Sequence, residues 1–308
     1  MNYRSKYTSL ASLWICATAC LLPSVASGDD AGEALSLLAE MEHTWLDVHD
    51  YSKRVLKTER LVDGDVTQQV IFIKFRQPGQ FYMKVLDGVK RGSELIYPAR
   101  EGSSLAVAHA GGFKGGLARF LAKTVILRSV VANEFALDDP QIGEWQHQTV
   151  PDTSIAATIT RIANNVRAAV ENNEGAIGLE QDCADNDRCL LRLDFTFPPD
   201  AGQLHEVRDG ETLWTIASSY DRPMYVIWYN NPHVKGPRKL KGGQTLFIPR
   251  YYAASGSFWI SPQRLLPVKI EVRDADGKLY ERYVYSDIQI DAGLTDLDFD
   301  AANPDYRF

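Results

Sequence analysis

Apolar positions between Ala31 and His49 recur every three or four residues, at Leu35, Leu38, Met41, Trp45 and Leu46, and predict an amphipathic helix. From Tyr51 the spacing changes to two. Strands are expected at Tyr51 to Leu61, at Val66 to Arg76, where Gln69, Ile71, Ile73 and Phe75 share a face, and at Gln80 to Leu86, with Phe81, Met83 and Val85 on one side. Asp63-Gly64, Pro78-Gly79, Asp87-Gly88 and Arg100-Glu101-Gly102 punctuate these runs, which gives an antiparallel meander with two more short strands. Gly111 to Gly116 is glycine-rich, with a short helix expected around Leu117 to Val131. A longer helix fits Thr153 to Glu171, with Ile155, Ile159, Ile162, Val166 and Val170 as its stripe. Leu191, Leu193, Phe195 and Phe197 then alternate with Arg192, Asp194 and Thr196, the pattern of a strand with one dry face. Pro198 to Gly202 is a linker, the segment from Leu204 to Pro249 has a different texture, and strands return at Phe258 to Ile260, Val268 to Arg273 and Leu279 to Tyr285. Asp274-Ala275-Asp276-Gly277 makes the last hairpin turn. Strands of one style on both sides of the compact segment point to a small module inserted into a loop of a larger antiparallel sheet, a change tolerated where loop ends lie close together.

The start of the chain sets the compartment. Arg4 and Lys6 precede an uncharged run from Leu10 to Leu22, then small residues to Gly28, then Asp29-Asp30. Residues 1–28 have the form of a secretory signal peptide, cleaved after Ala26 or Gly28. The run is too short to span a bilayer, so no transmembrane segment is expected after cleavage. Ala17-Thr18-Ala19-Cys20 is a loose lipobox, and lipidation at Cys20, with attachment to the outer membrane, is the alternative to a free periplasmic protein.

With 308 residues, 45% of them hydrophobic, the chain is long enough for a sizeable core. Its 33 Lys+Arg against 40 Asp+Glu argue against nucleic acid as a partner. Of four cysteines, only Cys183 and Cys189 survive cleavage. In an oxidising compartment they are expected to form a local disulfide across the polar turn between them.

The compact segment carries a resemblance. His205 to Ala217, then Trp228-Tyr229-Asn230-Asn231-Pro232, then Leu240 to Pro249 resemble a LysM domain nearly end to end. Read from its residues, the segment is strand, helix, helix, strand: Leu204 to Val207, a sharp turn at Gly210, Thr212 to Tyr220, a second helix opened by Pro223 and ended by Asn231-Pro232, then a strand through Leu246 and Ile248. The resemblance implies binding of N-acetylglucosamine glycans, peptidoglycan in bacteria, in a groove formed by Gly210, Glu211, Thr212 and Leu213 on one side and Asn231, Pro232 and His233 on the other. Glu211 stands where the family more often has Asp. Glu is a poorer helix cap, so a looser turn is expected. Trp214 and Trp228 are either packing residues or sugar platforms. From Leu204 to Arg250 the segment holds 7 Lys+Arg and 4 acids, a net of +3 that suits an anionic wall polymer. A single module binds weakly, because effective concentration is what strengthens tandem copies.

The flanking regions resemble a family of exported bacterial proteins of unknown function. The resemblance rests on Ile73 to Pro78, Tyr82-Met83-Lys84, Gly92 to Tyr97 and the ending from Gly293 to Phe308. The sheet of that family is similar to that of the LolA/LolB-like lipoprotein carriers. This implies an α+β fold: a curved antiparallel half-barrel over residues 29–199 plus 253–308, covered by helices, with a small βααβ LysM module inserted at 203–250. Such a half-barrel holds acyl chains if hollow. Ile71, Ile73, Phe75, Phe81, Met83, Leu193 and Phe195 would line it, and close packing makes a filled core the default expectation.

No enzyme signature accompanies these features. The six His form no His-Glu-x-x-His or His-x-His, no Gly-x-Ser-x-Gly occurs, and neither mature Cys has a base beside it in sequence. Asp296, Asp298 and Asp300 lack the Gly and distal Glu of a calcium loop, which leaves them to cap and solvate the terminal turn. Paired carboxylates stay open, because their separation is spatial. The sequence therefore gives no catalytic residue, metal or cofactor. The leading expectation is a non-enzymatic exported protein that docks on peptidoglycan; the alternative is a periplasmic lipid or lipoprotein carrier that the module only localises.

Overall fold

The computed structural model describes residues 28–109, 111, 133–137, 146–183 and 189–308. The signal peptide, Cys20, and the helix expected at Leu117 to Val131 lie outside the described residues.

The first helix, α1, spans Gly28–Leu46 and buries Ala34, Leu38, Met41 and Trp45. Leu46 was expected on this stripe but is exposed, because the stripe follows the 3.6-residue period from Ala34 and leaves the helix before reaching it. Trp45 donates its indole N–H to Leu265 O at 2.9 Å. A second long helix, α2, spans Ile155–Asn172 and packs along α1, with Arg167 paired to Glu42. Ser154 starts it: its hydroxyl accepts from Ala157 N at 3.1 Å and replaces a missing helical partner. Its buried face is Ile155, Thr158, Ile159, Ala163, Val166 and Ala169, whereas Val170 is 44% exposed and Ile162 half-buried. The stripe expected from the largest aliphatic residues is thus rotated. Ala163 and Ala169 are small enough to let the helix sit close to its neighbours.

Among the described residues eleven strands form one sheet, in the order β6-β5-β4-β3-β2-β1-β13-β12-β11-β8-β7. In chain order they are β1 Asp50–Arg60, β2 Val66–Arg76, β3 Gln80–Gly88, β4 Glu94–Tyr97, β5 Leu105–His109, β6 Asn133–Ala136, β7 Ala176–Cys183, β8 Cys189–Thr196, β11 Ser255–Ser261, β12 Leu266–Arg273 and β13 Leu279–Ile290. Every neighbouring pair is antiparallel. The ends of the order, β6 and β7, do not pair with each other, so the sheet curves around the two helices without closing. Cys183 and Cys189 face each other across the β7–β8 ladder and are disulfide-bonded.

The concave face and the two helices share one core that includes Ile71, Ile73, Phe81, Met83, Leu193 and Phe195, with Phe75 packed at its margin. The opposite face of β3 to β5 is not bare. Residues 294–308 fold across it, Tyr306 stacks on Tyr82 at 3.9 Å, and Phe299 joins Tyr82, Ile96 and Val107 in a small second core. Asp298 caps the 3-10 turn at Asp296–Phe299 and pairs with Lys74 at 2.6 Å, while Asp296 pairs with Arg76.

Between β8 and β11 the chain leaves the sheet and returns. β9 Gly202–Glu206 and β10 Thr245–Pro249 pair antiparallel, and α3 Leu213–Ser219 and α4 Met224–Tyr229 lie between them in sequence. Leu213, Ile216, Met224, Ile227, Leu246 and Ile248 belong to a core of this unit's own. Because β8 and β11 are themselves neighbours, both ends of the unit emerge side by side. Phe197 N donates to Ala254 O at 2.7 Å and Arg250 N to Ala201 O at 2.9 Å across this neck. The first strand begins at Gly202 rather than Leu204, so the last residue of the expected linker is already strand.

Candidate functional site

The loops expected to hold glycan do meet. Leu213 N, at the start of α3, donates to Pro237 O at 2.9 Å and joins the turn after β9 to the loop after α4. Within that meeting point the side chains have different tasks. Leu213 is fully buried in the unit's core and offers no surface to a sugar. Asn231 is 2% exposed: its amide donates to Ile227 O and Phe247 O and its carbonyl accepts from Phe247 N, so it pins α4 to β10 with its hydrogen bonds already spent. Glu211 does not loosen the turn. One of its carboxylate oxygens accepts from Arg208 N at 2.8 Å and lies 2.9 Å from His205 Nε2. Those contacts, the Arg208 amide foremost, hold the carboxyl below its usual range. Thr212 is the N-cap, its hydroxyl accepting from Thr215 N. Gly210 turns at φ 84° with nothing near its missing side chain, and Pro232 and His233 are exposed. The open rim therefore reduces to Gly210, Thr212, Pro232 and His233.

Neither tryptophan is a free platform. Trp228 donates to Val234 O at 2.9 Å, and Trp214 lines a small cavity shared with His147 and Gln148 of the segment before α2. The side of the unit carrying α4 is docked on the large sheet. Tyr225 accepts a hydrogen bond from Val62 N at 2.9 Å, and Tyr229 donates to Asp274 at 2.8 Å.

A second region lies between α2 and the sheet. Ile162, Val166, Phe195, Phe197, Ile270 and Val272 line a slit between α2 and strands β8 and β12 whose cavity measures about 30 Å³. That holds a water or two. Pockets for small organic ligands run to hundreds of Å³, so a bulky guest enters only if α2 moves outward.

At the inner end of the slit is a buried polar cluster. Glu59 on β1 and Glu281 on β13 are 1% and 2% exposed, and His147 is 2% exposed. Tyr283 places its hydroxyl 2.5 Å from Glu59 Oε1 and 2.9 Å from Glu281 Oε2; Tyr252 donates to Glu281 Oε2 at 2.7 Å. Burial pushes the phenols of Tyr252 and Tyr283 well above their ordinary pKa, which keeps them protonated as donors. His147 is stacked between the rings of Tyr225 and Tyr280, each centroid 4.3 Å away. Sequence reasoning missed this cluster, since its members stand 88 and 134 residues apart and no local spacing signals them.

The architecture is an open, antiparallel sheet wrapped around two helices, with a small βααβ unit at its neck. Residues 48–308 match the model of a family described as protein of unknown function (DUF1571), and the chain belongs to that family. No curated protein matches it. Among solved structures it is similar to a DUF1329 family protein from Desulfovibrio piger (9% identity, TM-score 0.34, 88% of this chain and 98% of that one). It is also similar to the LolA superfamily protein NE2245 from Nitrosomonas europaea (11% identity, TM-score 0.31, 86% and 96%). A third is LprF from Mycobacterium bovis (12% identity, TM-score 0.37, 86% and 96%).

Proposed function

We propose that this protein is an exported, non-enzymatic carrier or receptor of the cell envelope that takes an apolar chain, from a lipid or a lipoprotein, between α2 and the curved sheet. The observation that carries the reading is the slit: six apolar side chains that face one another between α2 and the sheet, with Arg161 and Glu281 at its inner end. The resemblance of the sheet segments to exported proteins with a LolA/LolB-like sheet supports it. In the state described here the slit is closed, so loading requires α2 to lift from β8 and β12. The test is native mass spectrometry of the protein purified from its own envelope, with a fluorescent fatty acid as probe in solution. A bound acyl species, and probe binding abolished by Val166→Trp, is the expected result; a wild-type chain that carries no acyl ligand and takes up no probe overturns it.

A second reading concerns location. The joined loops at Leu213 and Pro237, and the rim of exposed Gly210, Pro232 and His233 with half-buried Thr212, support peptidoglycan contact by the LysM-like unit at 203–250, acting as a locator for the carrier. Main-chain groups at Gly210 would meet an acetamido group, and Pro232 would give apolar contact. Pro232→Ala with His233→Ala is expected to reduce retention on purified peptidoglycan while the melting temperature stays unchanged. Equal retention by that variant, and by a chain lacking residues 202–249, sinks this reading.

A further inference from the structure

Three cavities of about 20 to 30 Å³ converge on the buried cluster: one reaches Glu59 and Tyr283, one Glu281 and Tyr252, one His147. The protons of this cluster do not close. His147 Nε2 lies 2.8 Å from Arg60 O, and a carbonyl only accepts, so Nε2 carries the ring proton. In a neutral imidazole Nδ1 is then a bare lone pair, yet it faces Glu281 Oε2 at 3.2 Å. Two acceptors at that distance repel. The single hydroxyl proton of Tyr283 serves two carboxylates, and Tyr252 has already given its own to the same Glu281 oxygen. Lys57 Nζ sits 2.9 Å from Glu59 Oε2, outside hydrogen-bond alignment, and offsets that one charge only. Arg161 lies beside Glu281 and offsets its charge, so what the cluster lacks is an electrophile between His147 Nδ1 and Glu281 Oε2.

We propose that Glu59, His147 and Glu281 form a buried divalent-metal site, best matched to zinc, with His147 ligating through Nδ1. One ligand atom from each of the three lies within 4.8 Å of the others. Zinc bonds of about 2.0–2.1 Å to nitrogen and oxygen set tetrahedral edges of about 3.3 Å, which the 3.2 Å between Nδ1 and Oε2 approaches. A ligating histidine commonly donates its other N–H to a backbone carbonyl, which fixes tautomer and ring plane; Arg60 O fills that place. Tyr252 orients the Glu281 carboxylate in the same way. The ligands come from β1, from β13 and from the segment before α2, and Tyr225 of α4 stacks on the histidine. The ion would therefore fasten sheet, segment and inserted unit together.

The full exported chain, stripped with a chelator, is titrated with Zn²⁺ by calorimetry and its bound metal counted. One zinc per chain is expected, with affinity falling at least tenfold in His147→Gln and in Glu281→Gln and unchanged in Glu180→Gln, a surface control. Because the first two variants could fail to fold, nitrogen NMR of His147 in the wild type decides independently: zinc should shift Nδ1 and leave Nε2 as the one protonated nitrogen of the ring. A chain that binds no zinc, variants that bind as tightly as the wild type, or a doubly protonated His147 ring in zinc-saturated protein would each overturn the site. The last result would make the electrophile between Nδ1 and Oε2 a proton.

Discussion

Lys53 is a residue open to direct test, because it is 1% accessible and its ammonium donates to Thr153 O at 2.7 Å between the rings of Tyr51 and Tyr285. Burial pushes its ammonium down to about 7 from 10.5. Below pH 7 the group is charged in folded and unfolded chain alike, and its desolvation cost is fully present. Between pH 7 and 10.5 the unfolded chain holds a proton that the folded chain has lost, so stability rises with pH across that window. Lys53→Met should flatten that rise and add on the order of 1–3 kcal/mol at pH 6. Urea midpoints at pH 6 and pH 9 measure both, and a variant that keeps the wild-type slope rules out Lys53 as its source. Asn231 makes the opposite case. Its replacement by Ala orphans Phe247 N–H and should cost about 1–3 kcal/mol, read as a lower melting temperature, whether or not glycan is present. The sequence pattern that marks Asn231 as part of a loop motif is silent on whether its amide points at a sugar or at its own backbone.

Elements were legible wherever one face is dry. The alternation in β2 and β8 locates those strands to within a few residues, because burial on one side imposes a period of two, whereas β1 is buried on both faces over much of its length and β13 runs on to Ile290, past the expected end at Tyr285. β7 was not expected. Gly178, Glu180, Gln181 and Asp182 break its alternation, and as an edge strand it is specified by β8 and the disulfide rather than by a face of its own. The stripe of α2 was misplaced because hydrophobic size was read for contact: Ala169 packs inward while Val170 is exposed. The start of α2, by contrast, depends on one hydroxyl. Ser154→Ala should lower stability by about 1 kcal/mol through the lost cap, measured by chemical denaturation, and Ser154→Asp should retain most of it. Equal stability of Ser154→Ala and wild type would show that the 3-10 turn at Pro151–Thr153 alone fixes the helix start.

At the scale of the molecule, the inserted unit is both separate and attached: it has its own core, but Tyr225 and Tyr229 reach out of it into the large sheet. Replacing residues 202–249 by a short Gly-Ser turn should leave a folded sheet, because the neck already pairs. That sheet should melt several degrees lower than the full chain, because Tyr280 and His147 lose their stacking partners. Calorimetry checks this, and an unchanged melting temperature would show that the docking face contributes nothing. The buried cluster was beyond reach of sequence reading for the same reason the docking was: β1, β13 and α4 converge only after the sheet has formed around them.

The side-by-side exit of the unit also has a mechanical meaning. A pull applied to it along the strand axis draws β8 and β11 in the same direction, so their mutual ladder is not stretched; the load falls in shear on the rows of bonds to β7 on one flank and β12 on the other. Many bonds then share the force at once. A protein anchored through this unit to a stiff polymer would resist being torn from it far better than one joined by a single terminal strand.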